Sequence, residues 1–285
     1  MIDDRVDGKV ALVTGASRGV GKGVALALAL GEAGAIVYIT GRTVSGEQPT
    51  TPLEGTLDAT AAEVRAQGGE CVAIQCDHRD DDAVRNVLSR IQSERGRLDV
   101  LVNNAWGGYE PLHAGRFEEF QAPFWEQPFE FWDGMFAAGV RTHYVSSSFG
   151  APLMLEHGGL IVNISSFAGV SSKENVALGT AKAATDRLSL LMSEQLRAHG
   201  VAVVSLYPGL VRTEGILKWK DYIDLSNSES PLFVGRAVAA LAADPRLMDR
   251  AGETLVAAEL AAEYGFTDED GSVPDSLRPE LGVSA

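Results

Sequence analysis

The chain has 285 residues, 45% hydrophobic and 22% charged, with a formal net charge of -15. A chain of that length and apolar content buries about three quarters of its unfolded surface, so a globular protein is expected. The acidic balance excludes nucleic acid as a partner, because phosphate-backbone binders cluster Lys and Arg to release counterions. The longest apolar stretch, Val24–Leu30, falls far short of the roughly 20 residues needed to cross a bilayer, and the start lacks a basic segment followed by an apolar one. The expectation is a cytoplasmic protein with no membrane partner and no signal peptide.

In chain order, apolar β-rich runs alternate with helical patterns. The strands are read at Lys9–Thr14, Ala35–Thr40, Glu70–Cys76, Leu98–Asn103, Leu160–Ser165, Val201–Tyr207 and Glu253–Ala257. Between them, helices are read at Gly19–Ala33, Leu57–Gln67, Asp80–Glu94, a long Pro128–Glu156, Val176–Ala198 and Leu232–Ala243. This is the rhythm of βαβ units, and near-continuous apolar strands are those covered on both faces. It predicts one α/β domain over residues 1–285, a doubly wound parallel sheet of seven strands with helices on both faces. Two irregular loops, 43–55 and 213–231, interrupt it. Cys71 and Cys76 are expected on opposite faces of a strand, roughly 16 Å apart and unable to bridge, as two buried thiols of a reducing compartment. No His/Cys cluster has metal-ligand spacing, so no metal is assigned.

The first strand ends in Thr14-Gly15-Ala16-Ser17-Arg18-Gly19-Val20-Gly21 and runs straight into a helix. Glycines there let the backbone turn sharply and approach a pyrophosphate, whose charge a helix N-terminus stabilises. The spacing departs from G-x-G-x-x-G, so the strand, turn and helix context carries the reading. The octapeptide resembles the T-G-x-x-x-G-x-G loop of the short-chain dehydrogenase/reductases, and further family-like motifs follow in order: Asn103-Asn104-Ala105, Ile164-Ser165-Ser166, Lys182 and Pro208-Gly209. Phe124-Trp125-Glu126, Trp132-Asp133 and Arg141-x-His143-Tyr144 bring it nearest to the subfamily of dehydrogenase/reductase member one.

The resemblance implies a Rossmann fold and a nicotinamide dinucleotide held by Gly15, Ser17, Arg18, Gly19, Val20 and Gly21. The second strand ends in Thr40-Gly41-Arg42, where an NAD-preferring member places an acid. Gly41 leaves room, and Arg42 with Arg18 offers forked donors to a 2′-phosphate, so NADP(H) is favoured over NAD(H), against Arg42 merely lying in solvent. Asp77 matches the position that accepts from the adenine amino group, with N-capping of the next helix as the alternative. One of Asn103 and Asn104 is implied to tie strands together and the other to neighbour the cofactor ribose, while Trp106 stands where the family has Gly. Pro208, Gly209, Val211 and Thr213 match the segment that meets the nicotinamide.

Carbonyl reduction needs a hydride, a donor that polarises the oxygen and an acid that protonates it. The family uses Ser, Tyr and Lys, the Tyr four residues before the Lys; Lys182 is present, but Leu178 stands at the Tyr position. Counting back 12 residues from Leu178 gives Ser166, favoured as the substrate-orienting hydroxyl, and 13 gives Ser165, the alternative. The family's Asn position falls at Gly139. Three routes around the missing acid stay open: another group (Tyr109, His113, His143 or Tyr207), water on Lys182, or no turnover at all. The expected function is NADP(H)-dependent hydride transfer with a carbonyl or secondary alcohol, with weakened catalysis; the competing one is a silent NADP(H)-binding sensor or scaffold. Aromatic residues Trp106, Tyr109, Phe117, Phe120, Phe124, Trp125, Phe129, Phe131 and Trp132 suggest an apolar substrate pocket, or else packing or a subunit contact. The resemblance implies a homodimer or homotetramer through Pro128–Glu156 and Val176–Ala198.

Overall fold

A computed structural model describes residues 8–29, 34–48 and 51–279. Seven parallel strands form the sheet: β1 (Val10–Thr14), β2 (Ile36–Gly41), β3 (Glu70–Gln75), β4 (Val100–Asn103), β5 (Gly159–Ile164), β6 (Val201–Tyr207) and β9 (Thr254–Val256), in the order β3-β2-β1-β4-β5-β6-β9. Each matches a strand read from the sequence to within two residues at either end. The central strands β1, β4 and β6 are buried throughout, as helix layers on both faces require, whereas the edge strand β3 is exposed at both ends. Cys71 and Cys76 are free and buried in separate apolar clusters.

One face of the sheet carries α1 (Gly19–Ala29), α2 (Leu57–Ala66), α10 (Pro231–Ala243) and α11 (Ala257–Tyr264). The other carries α3 (Asp81–Arg95), α7 (Arg141–Gly150) and α8 (Val176–Leu196). The end of the first predicted helix, residues 30–33, lies outside the described residues, as do 49–50 of the first loop and both ends of the chain. Among the described residues no helix is long and apolar enough to cross a membrane.

Two expectations need correcting. The single helix predicted over Pro128–Glu156 is broken: α6 (Phe129–Met135) leads into a π turn at Phe136–Val140 with Ala138 at φ -103, ψ 19, after which α7 runs to Gly150. The apolar periodicity continues through the bulge, so the pattern alone does not reveal it. The stretch 213–231 is also less irregular than its composition suggests, holding α9 (Glu214–Leu217) and β8 (Ser228–Glu229), the latter paired with β7 (Leu210–Val211).

Order β2-β1-β4 means that the chain leaves β1 toward one side and β4 toward the other, opening a crevice at their C-terminal ends where such sheets bind ligands. The wall on the α1 side is fixed by an unusually close helix contact. A Cβ built on Gly23 of α1 would stand 2.0 Å from the Pro231 carbonyl oxygen of α10, and one on Gly235 would stand 2.4 Å from the Gly23 oxygen. Gly23→Ala must therefore push the two helices apart. We expect it to cost about 3 kcal/mol, the upper end for overpacking; a thermal melt of the variant that overlays the wild type would refute the close packing.

Candidate active site

The crevice is a cavity of about 440 Å³. Its floor is the turn after β1. Gly15 has φ 69°, and a side chain there would lie 2.8 Å from the Ala105 Cα, so only glycine lets the β1 and β4 turns meet. The Thr14 hydroxyl accepts from the Asn104 and Ala105 N–H groups at 2.9 and 3.0 Å, while the Asn104 amide donates to the Thr14 and Gly15 carbonyls at 3.0 Å. Asn103 points the other way and donates to Asn163 on β5 at 2.8 Å. Asn103 thus ties the strands, and Asn104 lines the cavity. Gly15, Ser17, Arg18, Gly19 and Val20 line it as well. Gly21 does not: it lies behind the turn, where a Cβ would be 2.5 Å from the Gly15 oxygen, and its part is to let helix and turn pack.

At one end of the cavity, Arg18 donates to Thr51 Oγ1 at 2.5 Å, Thr43 Oγ1 at 3.1 Å and the Gly55 carbonyl at 2.8 Å. The loop after β2 is thereby folded onto it. Arg42 lines the cavity but is ion-paired to Glu110 of the short helix α4 (Glu110–His113), a partner the sequence did not suggest. The Gly19 N–H, at the start of α1, donates to the Glu214 carboxylate at 2.9 Å. Asp77 lines the cavity and is held by Arg79. Burial opposes its ionisation, but the Arg79 hydrogen bonds and the nearby Arg42 charge outweigh burial and hold the carboxyl below its usual range. It does not cap α3: Asp80 does, accepting from the Asp82 and Ala83 N–H groups. Beside it, unforeseen, is His78, a buried ring with Nε2 2.8 Å from Thr40 Oγ1 and Nδ1 3.3 Å from Ser146 Oγ.

At the other end are Ser165, Ser166, Lys182, Pro208, Gly209, Val211 and Thr213. Ser165 is turned away: it is buried and donates to the Lys182 carbonyl at 3.3 Å. Ser166 is half-buried on the cavity wall. The Lys182 ammonium donates to the Ile164 carbonyl at 3.2 Å and lies 3.8 Å from the centroid of the Trp106 ring. Burial pushes its pKa down to about 8, against the charge of Asp186. Leu178, one turn before Lys182, is buried with Met135, Ala168, Ala177 and Ala181, and Trp106 and Tyr109 pack on that cluster. Of the four alternative acids, Tyr109 and His113 line the cavity. His143 is buried away from the lining, and the Tyr207 hydroxyl donates to Asp186 at 2.5 Å, also off the cavity.

The nine aromatics do not form one pocket. Trp106 and Tyr109 line the cavity, Phe120 and Phe131 pack on each other with Phe131 buried, and Phe117, Phe124, Trp125, Phe129 and Trp132 are exposed. The short helices after β4 turn successive rings in different directions, so proximity in sequence does not make them neighbours in space.

Trp106 fits because two small residues face it. A Cβ on Gly139, in the π turn, would be 2.5 Å from the indole, and one on Gly108 would be 2.9 Å from it. We expect Gly139→Ala to lose about 1–3 kcal/mol through overpacking and Trp106→Gly in the same chain to recover most of that loss; purely additive losses in urea unfolding would show the two positions to be independent. His78 supplies a pH test. Burial pushes its pKa from 6.5 to about 4, so the unfolded chain takes up this proton first and stability falls as pH drops through that window. His78→Gln should flatten that acid limb, and an unchanged slope of unfolding midpoint against pH would remove His78 from the account.

The short chain dehydrogenase family profile matches residues 9–221. The chain is 42% identical over 279 residues to the mouse (Mus musculus) dehydrogenase/reductase SDR family member 1, covering 93% of this chain and 84% of that protein. The human (Homo sapiens) protein of the same name is 39% identical over 281 residues, covering 93% and 85%. Among solved structures, a short-chain type dehydrogenase/reductase from Mycobacterium marinum superposes with a TM-score of 0.72 at 27% identity, over 90% of this chain and 95% of that one. The protein therefore belongs to the short-chain dehydrogenase family of oxidoreductases, whose members act with a nicotinamide dinucleotide, and within it to the subfamily of dehydrogenase/reductase SDR family member 1.

Proposed function

We propose that the chain is a single-domain, NADP(H)-dependent oxidoreductase that reduces an apolar carbonyl, or oxidises the corresponding secondary alcohol, with weakened proton transfer. The observation that carries this reading is the composition of the two ends of one cavity: Gly41, Arg42 and Arg18 at one, Ser166 and Lys182 at the other. The residues fit the dinucleotide. Gly15 and Gly19 leave the turn bare at positive φ, and a carboxylate of the chain itself already accepts from the first N–H of α1, so the turn is chemically competent to hold an anion. The two guanidinium groups favour a 2′-phosphate, and no acid ends β2 to repel it. When bound, the cofactor supplies or takes the hydride.

The chain's own groups do the rest. Ser166 can donate to the substrate oxygen, while Ser165 is committed to α8. Lys182 is cationic below about pH 8 and can hold a ribose hydroxyl. Leu178 has no proton to give, and we assign Tyr109 in its place. It lines the cavity and packs on the Leu178 cluster, and burial raises its pKa to about 12. A phenol so weakly acidic keeps its proton at neutral pH yet is a stronger acid than water, which suits delivery to a nascent alkoxide and makes alcohol oxidation the slower direction. Trp106 and Tyr109 support an apolar substrate. Tyr144, Leu190 and Leu191, exposed on α7 and α8, support a homodimer or homotetramer, and two free buried cysteines suit a reducing, cytoplasmic setting.

Two substitutions test the assignment with NADPH oxidation over a panel of apolar aldehydes and ketones. We expect slow wild-type turnover, a gain of about 10² or more for Leu178→Tyr, and a loss of similar size for Tyr109→Phe at unchanged NADPH affinity. Turnover indifferent to Tyr109→Phe would remove Tyr109 as the acid, and turnover in Leu178→Tyr alone would make the natural chain a silent NADP(H) binder.

A further inference from the structure

Two carboxylates stand where the reading above puts the cofactor's anionic groups. Glu214 Oε2 accepts from the Gly19 N–H at 2.9 Å, at the start of an 11-residue helix whose first turn contains no acid of its own. Glu110 Oε1 takes the Arg42 guanidinium, the partner assigned to a 2′-phosphate. Both carboxylates line the same cavity. They come from different short helices, α4 and α9, and these meet: a Cβ on Gly215 would be 2.9 Å from the His113 ring. The two acids are therefore mounted on one lip across the crevice, each satisfying a cationic or donor group that would otherwise face the cavity. Arg18 feels the Glu214 carboxylate and the Arg42 guanidinium: burial lowers its pKa, the Glu214 charge raises it and the Arg42 charge lowers it.

We propose that Glu214 and Glu110 are built-in mimics of the dinucleotide's pyrophosphate and 2′-phosphate, and that displacing them sets both the affinity for cofactor and the discrimination between NADPH and NADH. This inference rests on the cofactor reading above. A phosphate and a carboxylate compete for the single Gly19 N–H, and on the Arg42 guanidinium, whose several donors could reach both, the two anions repel each other. Pyrophosphate, common to both dinucleotides, displaces Glu214. The 2′-phosphate, present only in NADPH, displaces Glu110. Arrival of NADPH thus frees both attachments of the α4–α9 lip, whereas NADH leaves the Arg42–Glu110 tether closed.

The experiment is calorimetric titration of the full chain with NADPH and with NADH. For Glu214→Gln we expect tighter binding of both dinucleotides by a similar factor, about two- to fivefold, the range for one charge at a helix N-terminus. Glu110→Gln should tighten NADPH by about the same factor and leave NADH unchanged. Amide hydrogen exchange on the wild-type chain provides an arm independent of the variants' folding: NADPH should speed exchange in both Glu110–His113 and Glu214–Leu217, and NADH only in the latter. Wild-type protein that binds both dinucleotides while the variants bind no tighter, or whose two helices become more protected, overturns the mimicry alone. Wild-type protein that binds neither overturns the cofactor reading together with it.

Discussion

Two loops can leave adjacent strands in opposite directions only if something holds their first residues together, and here that is the junction of Thr14, Gly15, Asn104 and Ala105. One threonine hydroxyl receives two backbone N–H groups, and one asparagine amide returns two bonds to carbonyls across the gap. Four bonds satisfy backbone groups that the diverging strands would otherwise leave bare in a crevice. The absence of a Gly15 side chain is what allows the approach. The cavity, the start of α1 at its edge and the presence of Arg18 and Trp106 in one lining all follow from that contact.

At the opposite end of the cavity, the lysine has an unusual companion. An ammonium that faces a tyrosine hydroxyl lowers its pKa by charge; here the ammonium lies on an indole face and within hydrogen-bond reach of a carbonyl, beside aliphatic side chains. The indole stabilises the cation without accepting a proton from it. Lys182 is thus oriented by an indole and a carbonyl, with burial opposing its charge and the ring partly offsetting that cost. Trp106 packs against both Gly139 and the Leu178 cluster, so the leucine at 178 is set in apolar surroundings.

Much of this was legible in the sequence, for identifiable reasons. Buried parallel strands are apolar on both faces, so β1, β4 and β6 announce themselves by composition, and turn glycines flank them at fixed places. The turn after β1, Arg42, Asp77, Lys182 and the Pro208–Thr213 segment, picked out by motif resemblance, come together on one cavity because each follows the end of a strand of the same sheet or, as Lys182 does, lies early in the helix beside it. Features that depend on contacts between distant segments were not. Glu110 and Glu214 are ordinary surface acids until the chain closes, and His78 gives no sign of being buried. The aromatic run, read as a pocket or else as packing or a subunit contact, is divided among lining, packing and exposed rings because short helices, whose ends no periodicity marks, decide which rings face inward. Spacing favours Ser166 over Ser165, and the contact that distinguishes their surroundings, the Ser165 hydrogen bond to the Lys182 carbonyl of α8, joins segments that the sequence keeps apart.

The π turn at Phe136–Val140 has a role beyond bending a helix. A helix that widens by one residue leaves a carbonyl without its usual partner, and the Ala138 oxygen, so released, accepts from the Gly107 N–H at 2.8 Å. That bond moors the segment carrying Trp106 to the far side of the crevice. Removing one residue from the turn would restore regular winding, recapture the oxygen within the helix and cast the tryptophan loop adrift, so the surplus residue is a fixture of the site's architecture.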